Sequence, residues 1–101
     1  MLHAASVSCP EKGGGMKSAL ILEDHSDVRL WMVSMLQKAF GDLHVVQAST
    51  VEQAMKKIQQ EPFDLALIDY QLPDGCGVDV IREIVRMSSQ TYNLLCDCHY
   101  F

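Results

Sequence analysis

The sequence is poor in basic residues and has no long hydrophobic run. Only 8 of its 101 residues are Lys or Arg, against 13 Asp and Glu, so the formal net charge is −5 and the pI is about 5.1. Proteins that bind nucleic acid need a basic surface for the phosphates, so this balance argues against nucleic acid as a direct partner. No apolar run approaches the roughly 18 residues of a membrane-spanning helix, so we expect no membrane segment.

The first fifteen residues also lack the features of a secretory signal. They have no basic n-region and no continuous apolar h-region, which predicts a cytoplasmic protein. A Pro and a glycine triplet predict that residues 1–15 are a disordered extension and that folded structure begins near Met16. Without a secretory signal, the four cysteines are expected to be free thiols. The "CDCH" run at 96–99 does not have a standard zinc spacing, so we expect no functional metal there.

Short apolar runs alternate with stretches of helical periodicity from Ser18 onward. This alternation predicts βαβ units and a parallel sheet. Ser26 or Asp27 is expected to cap the first helix and Gly41 to end it. Trp31 and the methionines of this helix are expected in the core. The predicted strands are 18–22, 43–48, 63–69 and a fourth that Tyr92, Leu94, Leu95 and Cys96 could supply, and Ser49 with Glu52 predicts a capping box for the second helix.

Three carboxylates stand at the ends of two predicted strands. Glu23 and Asp24 follow the first strand, and Asp69 ends the third. Ligands of open parallel sheets bind outside the carboxyl ends of the strands, so these side chains are expected to converge if the two strands are neighbours. Converging carboxylates repel one another, and a hard divalent cation such as Mg²⁺ offsets that repulsion. The pattern therefore indicates a phosphate-related Mg²⁺ site.

Each of these residues also has a purely structural interpretation. A carboxylate that ends a strand often caps the following helix, and this holds for Asp69 and even more for Asp24 in "EDHSD". His25, which follows the acid pair, is interpreted as a loop or cap residue rather than a metal ligand. The combination of acids at two strand ends, rather than any single residue, favours the metal site.

Two segments resemble the receiver domain of two-component response regulators: "ALILEDHSDVR" and "LALIDYQLPDGCGVDVIREI". The resemblance covers roughly residues 16–87 and implies a flavodoxin-like α/β fold with an open parallel sheet of strand order 2-1-3-4-5. It implies a signalling domain rather than an enzyme, in which Asp69 accepts a phosphoryl group from a sensor histidine kinase. It also implies that Glu23, Asp24, Asp69 and the backbone carbonyl of Gln71 hold Mg²⁺.

The resemblance is incomplete toward the end of the sequence. Intact receivers have five strands and five helices, with a Ser or Thr ending strand four and a Lys ending strand five. We therefore expect residues 16–101 to form a truncated receiver with strand order 2-1-3-4, lacking the last strand and the last two helices. The segment where the hydroxyl belongs, near 96–100, offers no Ser or Thr, and Thr91 lies too early. A frame disruption near residue 90 is one hypothesis for this change.

Two consequences are expected from such a truncation. Phosphorylation is expected to be impaired, and the uncovered sheet face and strand edge favour marginal stability or a homo-oligomer that buries them. One alternative function is a phosphorylation-independent protein-interaction module with a degenerate acidic pocket. Another is a small Mg²⁺-dependent phosphatase with an aspartate nucleophile. That family has a second Asp two residues after the nucleophile, where this sequence has Gln71.

Overall fold

The computed structural model describes residues 16–88 and 90–96, and within them the predicted alternation of strands and helices is confirmed. In chain order the elements are β1 (Ser18–Leu22), α1 (Ser26–Phe40), β2 (His44–Ala48), α2 (Val51–Gln60), β3 (Leu65–Asp69), β4 (Gln71–Leu72), β5 (Gly75–Cys76), α3 (Gly77–Met87) and β6 (Tyr92–Cys96). The predicted disordered extension at 1–15 and all but the first residue of the "CDCH" run lie outside the described residues.

Four of the strands form one parallel sheet in the order β2-β1-β3-β6. This is the flavodoxin-like order predicted for the first four strands. Strand β3 lies between β1 and β6 and all five of its residues are buried, as expected of a parallel strand covered on both faces. The two-residue strands β4 and β5 form a separate antiparallel hairpin directly after β3.

The helices divide between the two faces of the sheet. Helices α2 and α3 pack on one face through a cluster that includes Leu22, Ile68 and Val80. Among the described helices, only α1 packs on the other face, through Met32 and Leu36. Successive strand residues point to opposite faces, so Ala19, Ile21, Leu65 and Leu67 pack toward α1 while their neighbours pack toward α2 and α3.

The prediction that Trp31 belongs to the core was wrong, whereas Met32 is fully buried as expected. The Trp31 side chain is 57% exposed, although it is next to Met32 in the sequence. Consecutive helical residues lie about 100° apart around the axis, so a helix that packs on one side buries only a narrow stripe of residues. Trp31 lies outside that stripe.

Of the two predicted ends of α1, only the C-terminal one is confirmed. The helix begins at Ser26 with His25 at the N-cap, and no side chain there makes a capping hydrogen bond, so the prediction of a Ser26 or Asp27 cap was wrong. Gly41 ends the helix as predicted. Its φ of +69° is in the left-handed region that glycine adopts readily, and its N–H donates to the carbonyl of Gln37 at 2.9 Å.

The start of α2 is capped one residue later than predicted. Thr50, rather than Ser49, is the N-cap, and its hydroxyl accepts a hydrogen bond from the N–H of Gln53 at 3.1 Å. The Gln53 side chain reaches back to the N–H of Ser49 at 2.8 Å, so Glu52 is not the returning partner. The predicted capping box of Ser49 and Glu52 was therefore wrong: the hydroxyl cap is supplied by Thr50, and the Gln53 side chain bonds Ser49, the residue before the N-cap, rather than the N-cap itself.

Strand β6 forms in spite of a polar residue in its middle. Asn93 is 3% exposed, lies beside Ala66 of β3, and donates from its side-chain amide to the carbonyl of Thr91 at 3.2 Å. The Thr91 hydroxyl in turn donates to the carbonyl of Phe63 at 2.7 Å. These bonds partly satisfy polar groups that burial would otherwise leave without partners. Among the described helices, none is both long and apolar enough to cross a bilayer.

Candidate functional site

The acidic residues predicted from the sequence lie at the carboxyl ends of two neighbouring strands, and the group of close ligand atoms there includes Glu23 and Asp24 but not Asp69. Leu22 of β1 is the register partner of Ile68 of β3, so the residues that follow, Glu23 and Asp69, end neighbouring strands at the same level. Both continue the alternation that points Ile21 and Leu67 toward α1. The Glu23 side chain is fully buried and Asp69 is 1% exposed. Two carboxylates are therefore buried side by side where the strands end.

Glu23 uses only one of its two carboxylate oxygens in hydrogen bonds. Its Oε2 accepts from the backbone N–H of His25 at 2.9 Å and lies 2.8 Å from the Nδ1 of the same residue. Its Oε1 is buried and has no hydrogen-bond partner among residues 16–88 and 90–96. Burying a polar atom without a partner costs about 1–3 kcal/mol, and more for a charged group. A cation bound beside Glu23 would offset that cost.

Asp24 and His25 complete the acidic end of β1. The Oδ1 of Asp24 is also buried, has no hydrogen-bond partner in the described part of the chain, and lies 3.4 Å from the Nδ1 of His25. The pKa of His25 is raised, first by the side-chain hydrogen bond to Glu23, then by the charge of Asp24, with a smaller contribution from Asp69. All three acids therefore act electrostatically on this imidazole. A ligand atom from each of Glu23, Asp24 and His25 lies within 4.8 Å of the other two.

The backbone around Asp69 is closely packed. The Asp69 Oδ1 accepts a hydrogen bond from the N–H of Tyr70 at 2.8 Å, and the carbonyl of Tyr70 accepts one from the N–H of Gly77 at 2.8 Å. A Cβ atom at position 77 would lie 1.9 Å from the carbonyl oxygen of Asp69. Only a glycine at this position lets α3 begin directly against the end of β3.

The hairpin after β3 is tied to the start of α2. Pro73 and Asp74 form its turn, and the Asp74 carboxylate accepts hydrogen bonds from the N–H groups of Val51 at 2.8 Å and Glu52 at 3.1 Å. These bonds lower the pKa of Asp74, that of Val51 most. They also satisfy two of the first N–H groups of the helix, which have no partners within it. Asp74 thus fixes the hairpin that carries Gln71.

An open cleft of about 520 Å³ lies between the acidic end of β1 and this hairpin. Asp24 and His25 line one side, and Gln71 with the hairpin residues lines the other. The structure therefore brings together Glu23 and Asp24, places Asp69 at the neighbouring strand end, and sets Gln71 at the same cleft. The proposed role of the Gln71 carbonyl as a metal ligand stays a prediction.

Cys96 is a residue of this site that the sequence reasoning missed. It is the register partner of Asp69, it is 1% exposed, and its carbonyl accepts a hydrogen bond from the N–H of Tyr70 at 2.9 Å. It packs in the cluster on the α1 face, the face to which Asp69 also points. The resemblance placed a hydroxyl near 96–100. Setting "YNLLC" beside "LALID" residue by residue would have found a thiol at that place.

The donor set at the ends of β1 and β3 fits Mg²⁺, although Asp24 and Gln71 line the cleft whereas Glu23 and Asp69 are buried and are not part of its lining. Carboxylate and carbonyl oxygens are the ligands that this hard cation takes in proteins. Two carboxylate oxygens, Glu23 Oε1 and Asp24 Oδ1, are buried and have no hydrogen-bond partner in the described part of the chain. Such atoms are available to a cation without breaking an existing hydrogen bond.

Comparison with known proteins identifies the family to which the chain is similar. Residues 19–97 match the family model described as "Response regulator receiver domain". The chain is 36% identical over 77 residues to the response regulator protein PilR of Pseudomonas aeruginosa, covering 74% of this chain and 16% of PilR. It is also 36% identical over 72 residues to the response regulator receiver protein CpdR of Brucella abortus, covering 71% of this chain and 58% of CpdR.

A solved structure resembles the chain in sequence and fold. A chain of the crystal structure of histidine kinase ThkA in complex with response regulator protein TrrA has a TM-score of 0.72 and 26% identity, and the match covers 85% of this chain and 72% of that chain. This chain spans 16% of the length of PilR and 58% of that of CpdR, so it corresponds to part of each. The match to the family model covers most of the sequence, and the chain belongs to the response regulator receiver domain family.

Proposed function

We propose that this chain is a phosphoacceptor domain of two-component signalling and that Asp69 receives the phosphoryl group. The observation that carries the proposal is the burial of Asp69 at the end of the central strand, beside the buried Glu23, in a chain of the receiver family. Receiver domains are signalling modules rather than enzymes with continuous turnover. We propose a sensor histidine kinase as the donor, by analogy with the relative solved with histidine kinase ThkA, and a cytoplasmic location for this chain.

The proposed reaction is a simple displacement at phosphorus. A carboxylate oxygen of Asp69 forms a bond to the phosphorus atom, and the bond between phosphorus and the donor's histidine nitrogen breaks, with the electron pair going to that nitrogen. The product is an acyl phosphate on Asp69. Because the transition state needs little covalent help from the protein, the contribution of the receiver is positioning and electrostatic stabilisation.

The residues of the cleft have distinct roles in this proposal. Glu23, Asp24, Asp69 and the carbonyl of Gln71 would hold Mg²⁺, which supplies neutralisation of the negative charge on the phosphoryl oxygens when it is bound. Asp74 holds the hairpin that carries Gln71 through its bonds to α2. Gly77 leaves room for the carbonyl oxygen of Asp69, and its N–H donates a hydrogen bond to the carbonyl of Tyr70.

We further propose that phosphorylation is slower than in a receiver with a hydroxyl beside the acceptor. Cys96 occupies the strand position next to Asp69. A thiol is a weaker hydrogen-bond donor than a hydroxyl, so it stabilises the developing charge on a phosphoryl oxygen less well.

The experiment is incubation with Mg²⁺ and acetyl phosphate, followed by intact-mass measurement. The wild-type chain is expected to gain one phosphoryl group, Asp69→Ala none, and Asp79→Ala, an exposed carboxylate on α3, the same adduct as wild type. Circular dichroism of each variant shows that it is folded. No adduct on a folded wild-type sample would overturn the proposal.

A second candidate function is binding of a partner without phosphorylation. The observation that favours it is the exposure of large apolar side chains on α1: Leu30 and Trp31 are both 57% exposed and Phe40 is 44% exposed. Val85 and Met87 of α3 are also exposed, at 55% and 45%. Exposed apolar patches are typical of interaction surfaces, including those between copies of one chain. A folded sample that takes no phosphoryl group but self-associates at micromolar concentration would favour this function over the first.

A further inference from the structure

Arg29 of helix α1 reaches back to the strand end that carries Glu23 and Asp24. Its guanidinium donates from Nη1 to the backbone carbonyl of Glu23 at 2.9 Å, and from Nε to the side-chain oxygen of Gln47 in β2 at 3.0 Å. Its own backbone N–H donates to the carbonyl of His25 at 2.9 Å. One residue of α1 is therefore bonded to the carboxyl ends of two neighbouring strands.

Both oxygens that accept these guanidinium bonds are uncharged. Arginine commonly pairs with a carboxylate through two parallel hydrogen bonds. Here Glu23 Oε1 and Asp24 Oδ1 are buried and have no hydrogen-bond partner within residues 16–88 and 90–96. Arg29 thus holds the main chain and leaves these two carboxylate oxygens available to another cation.

Holding the carbonyl of Glu23 fixes the directions of both acidic side chains. The peptide group between Glu23 and Asp24 is planar, so its oxygen cannot be held without also orienting the bond that leads to Asp24. The N–H of Glu23 donates to the carbonyl of Ala48 at 3.0 Å, so Glu23 is bonded on both sides of its Cα. Mg²⁺ demands near-ideal octahedral geometry, and small shifts of its ligands therefore weaken binding.

We propose that Arg29 is a positioning residue of the metal site, and that its bonds to the Glu23 carbonyl and to Gln47 hold Glu23 and Asp24 in the arrangement that binds Mg²⁺. The inference rests on the metal site of the proposed function and adds a residue that acts through Glu23 rather than on the ion. An arginine that only attached α1 to the sheet would contribute to stability and leave Mg²⁺ affinity unchanged.

The charge of Arg29 makes the expected result distinctive. A positive group close to a cation site repels the cation, so electrostatics alone predicts that removing the guanidinium tightens Mg²⁺ binding. Loss of positioning predicts the opposite, weaker binding. The direction of the change therefore separates the two effects.

The test measures Mg²⁺ affinity of the full chain by isothermal titration calorimetry, well below the melting temperature that circular dichroism gives for each variant. Arg29→Gln removes the charge and the fork of donors, and Arg29→Lys keeps the charge but presents a point charge in place of the planar fork. Gln47→Met removes one acceptor and leaves Arg29 in place. Arg82→Gln removes an exposed cation of α3 and is the matched control.

We expect Arg29→Gln to weaken Mg²⁺ binding at least fivefold, Arg29→Lys and Gln47→Met to weaken it by a smaller factor, and Arg82→Gln to leave it unchanged. The Mg²⁺ concentration that half-saturates the rate of phosphorylation by acetyl phosphate is expected to rise by the same factors. Unchanged or tighter Mg²⁺ binding by folded Arg29→Gln would overturn the inference and leave the metal site standing. If Arg29→Gln does not fold, unchanged affinity in Gln47→Met overturns it. Absence of Mg²⁺ binding by wild type would overturn the inference and the metal site together, while phosphorylation of Asp69 is judged separately by mass.

Discussion

Asp69 and Cys96 are register partners at the ends of neighbouring parallel strands, and both face the helix α1 side of the sheet. Adjacent strands lie about 4.8 Å apart, so a thiol stands next to the carboxylate that we propose as the phosphoryl acceptor. Both residues are almost fully buried, Asp69 at 1% and Cys96 at 1% exposure. The side chain at position 96 therefore has a direct influence on any group attached to Asp69.

The first prediction is that the donor strength of residue 96 controls the rate of phosphorylation. Cys96→Ser exchanges the thiol for a stronger donor of similar size and is expected to raise the initial rate of adduct formation about tenfold. Cys96→Ala removes the donor and is expected to lower the rate. The rates are measured by intact mass over time with acetyl phosphate and Mg²⁺. Equal rates for the Ser and Ala variants would show that residue 96 does not contact the phosphoryl group. Because Cys76 lines the cleft, Cys9→Ser is the control for loss of a thiol elsewhere in the sequence.

The second prediction concerns Asp74, which caps α2 from a distant part of the chain. Asp74→Asn weakens the hydrogen bonds to Val51 and Glu52 by removing the negative charge. Loss of a helix cap is expected to lower the melting temperature of a domain of this size by roughly 4–8 °C at neutral pH. Thermal unfolding followed by circular dichroism at 222 nm measures the change, with Asp79→Asn in the first turn of α3 as the matched control.

The difference in melting temperature between wild type and Asp74→Asn is also expected to depend on pH. The pKa of Asp74 is lowered from its ordinary value of 3.8, so its contribution to stability is fully present above that value and is lost as the pH falls through the lower, folded-state pKa. The melting temperatures of wild type and Asp74→Asn are therefore expected to differ at pH 6 and to approach each other at pH 3. A constant difference over this range would contradict the assignment.

The third prediction is that position 77 accepts only glycine. The Cβ of Gly77→Ala would lie 1.9 Å from the Asp69 carbonyl oxygen and 2.6 Å from Ile68 Cγ2, and the first of these is backbone that cannot rotate away. We expect a loss of about 3 kcal/mol or more in the free energy of unfolding. Gly41→Ala meets no atom within 4 Å and is expected to lose only about 1–2 kcal/mol, from its positive φ. Urea denaturation that gives equal losses for both variants would contradict this account.

The fourth prediction compares two adjacent residues of α1, of which Met32 is buried and Trp31 is exposed. Met32→Ala is expected to cost about 2–5 kcal/mol because Met32 is fully buried. Trp31→Ala is expected to change the free energy of unfolding by less than about 0.5 kcal/mol, since its side chain is 57% exposed. If the exposed face mediates self-association, Trp31→Ala also shifts sedimentation toward monomer. A large loss of monomer stability in Trp31→Ala would place Trp31 in the core after all.

Much of the fold could be predicted because the local signals agree with one another. Short, mostly apolar runs predicted the strands, Gly41 predicted the end of α1, and the alternation of strands with helices predicted a parallel sheet. The order of the strands came from the family resemblance rather than from periodicity. The errors concern single positions. Thr50 and Ser49 both carry hydroxyls, so the sequence alone does not decide which one caps α2, and helical periodicity does not give the width of the buried stripe that leaves Trp31 outside.

The placement of the acidic residues was predicted from the sequence, but the residues around them were not. Glu23, Asp24 and Asp69 were proposed as site residues because each stands at or directly after the end of an apolar strand, and their roles stay a prediction. Cys96 was missed because its position depends on the register between β3 and β6, a long-range pairing that no local pattern contains. The inclusion of His25 in the cluster depends likewise on side-chain directions after the strand end.

The most direct test of the central claim is to locate the phosphoryl group in the chain. After incubation with Mg²⁺ and acetyl phosphate, borohydride reduction converts an aspartyl phosphate to homoserine, and peptide mass spectrometry identifies the altered residue. The account predicts homoserine at position 69 and at no other aspartate, with none in a sample to which no phosphoryl donor was added. Homoserine at a different aspartate, or none in a folded sample, would contradict it.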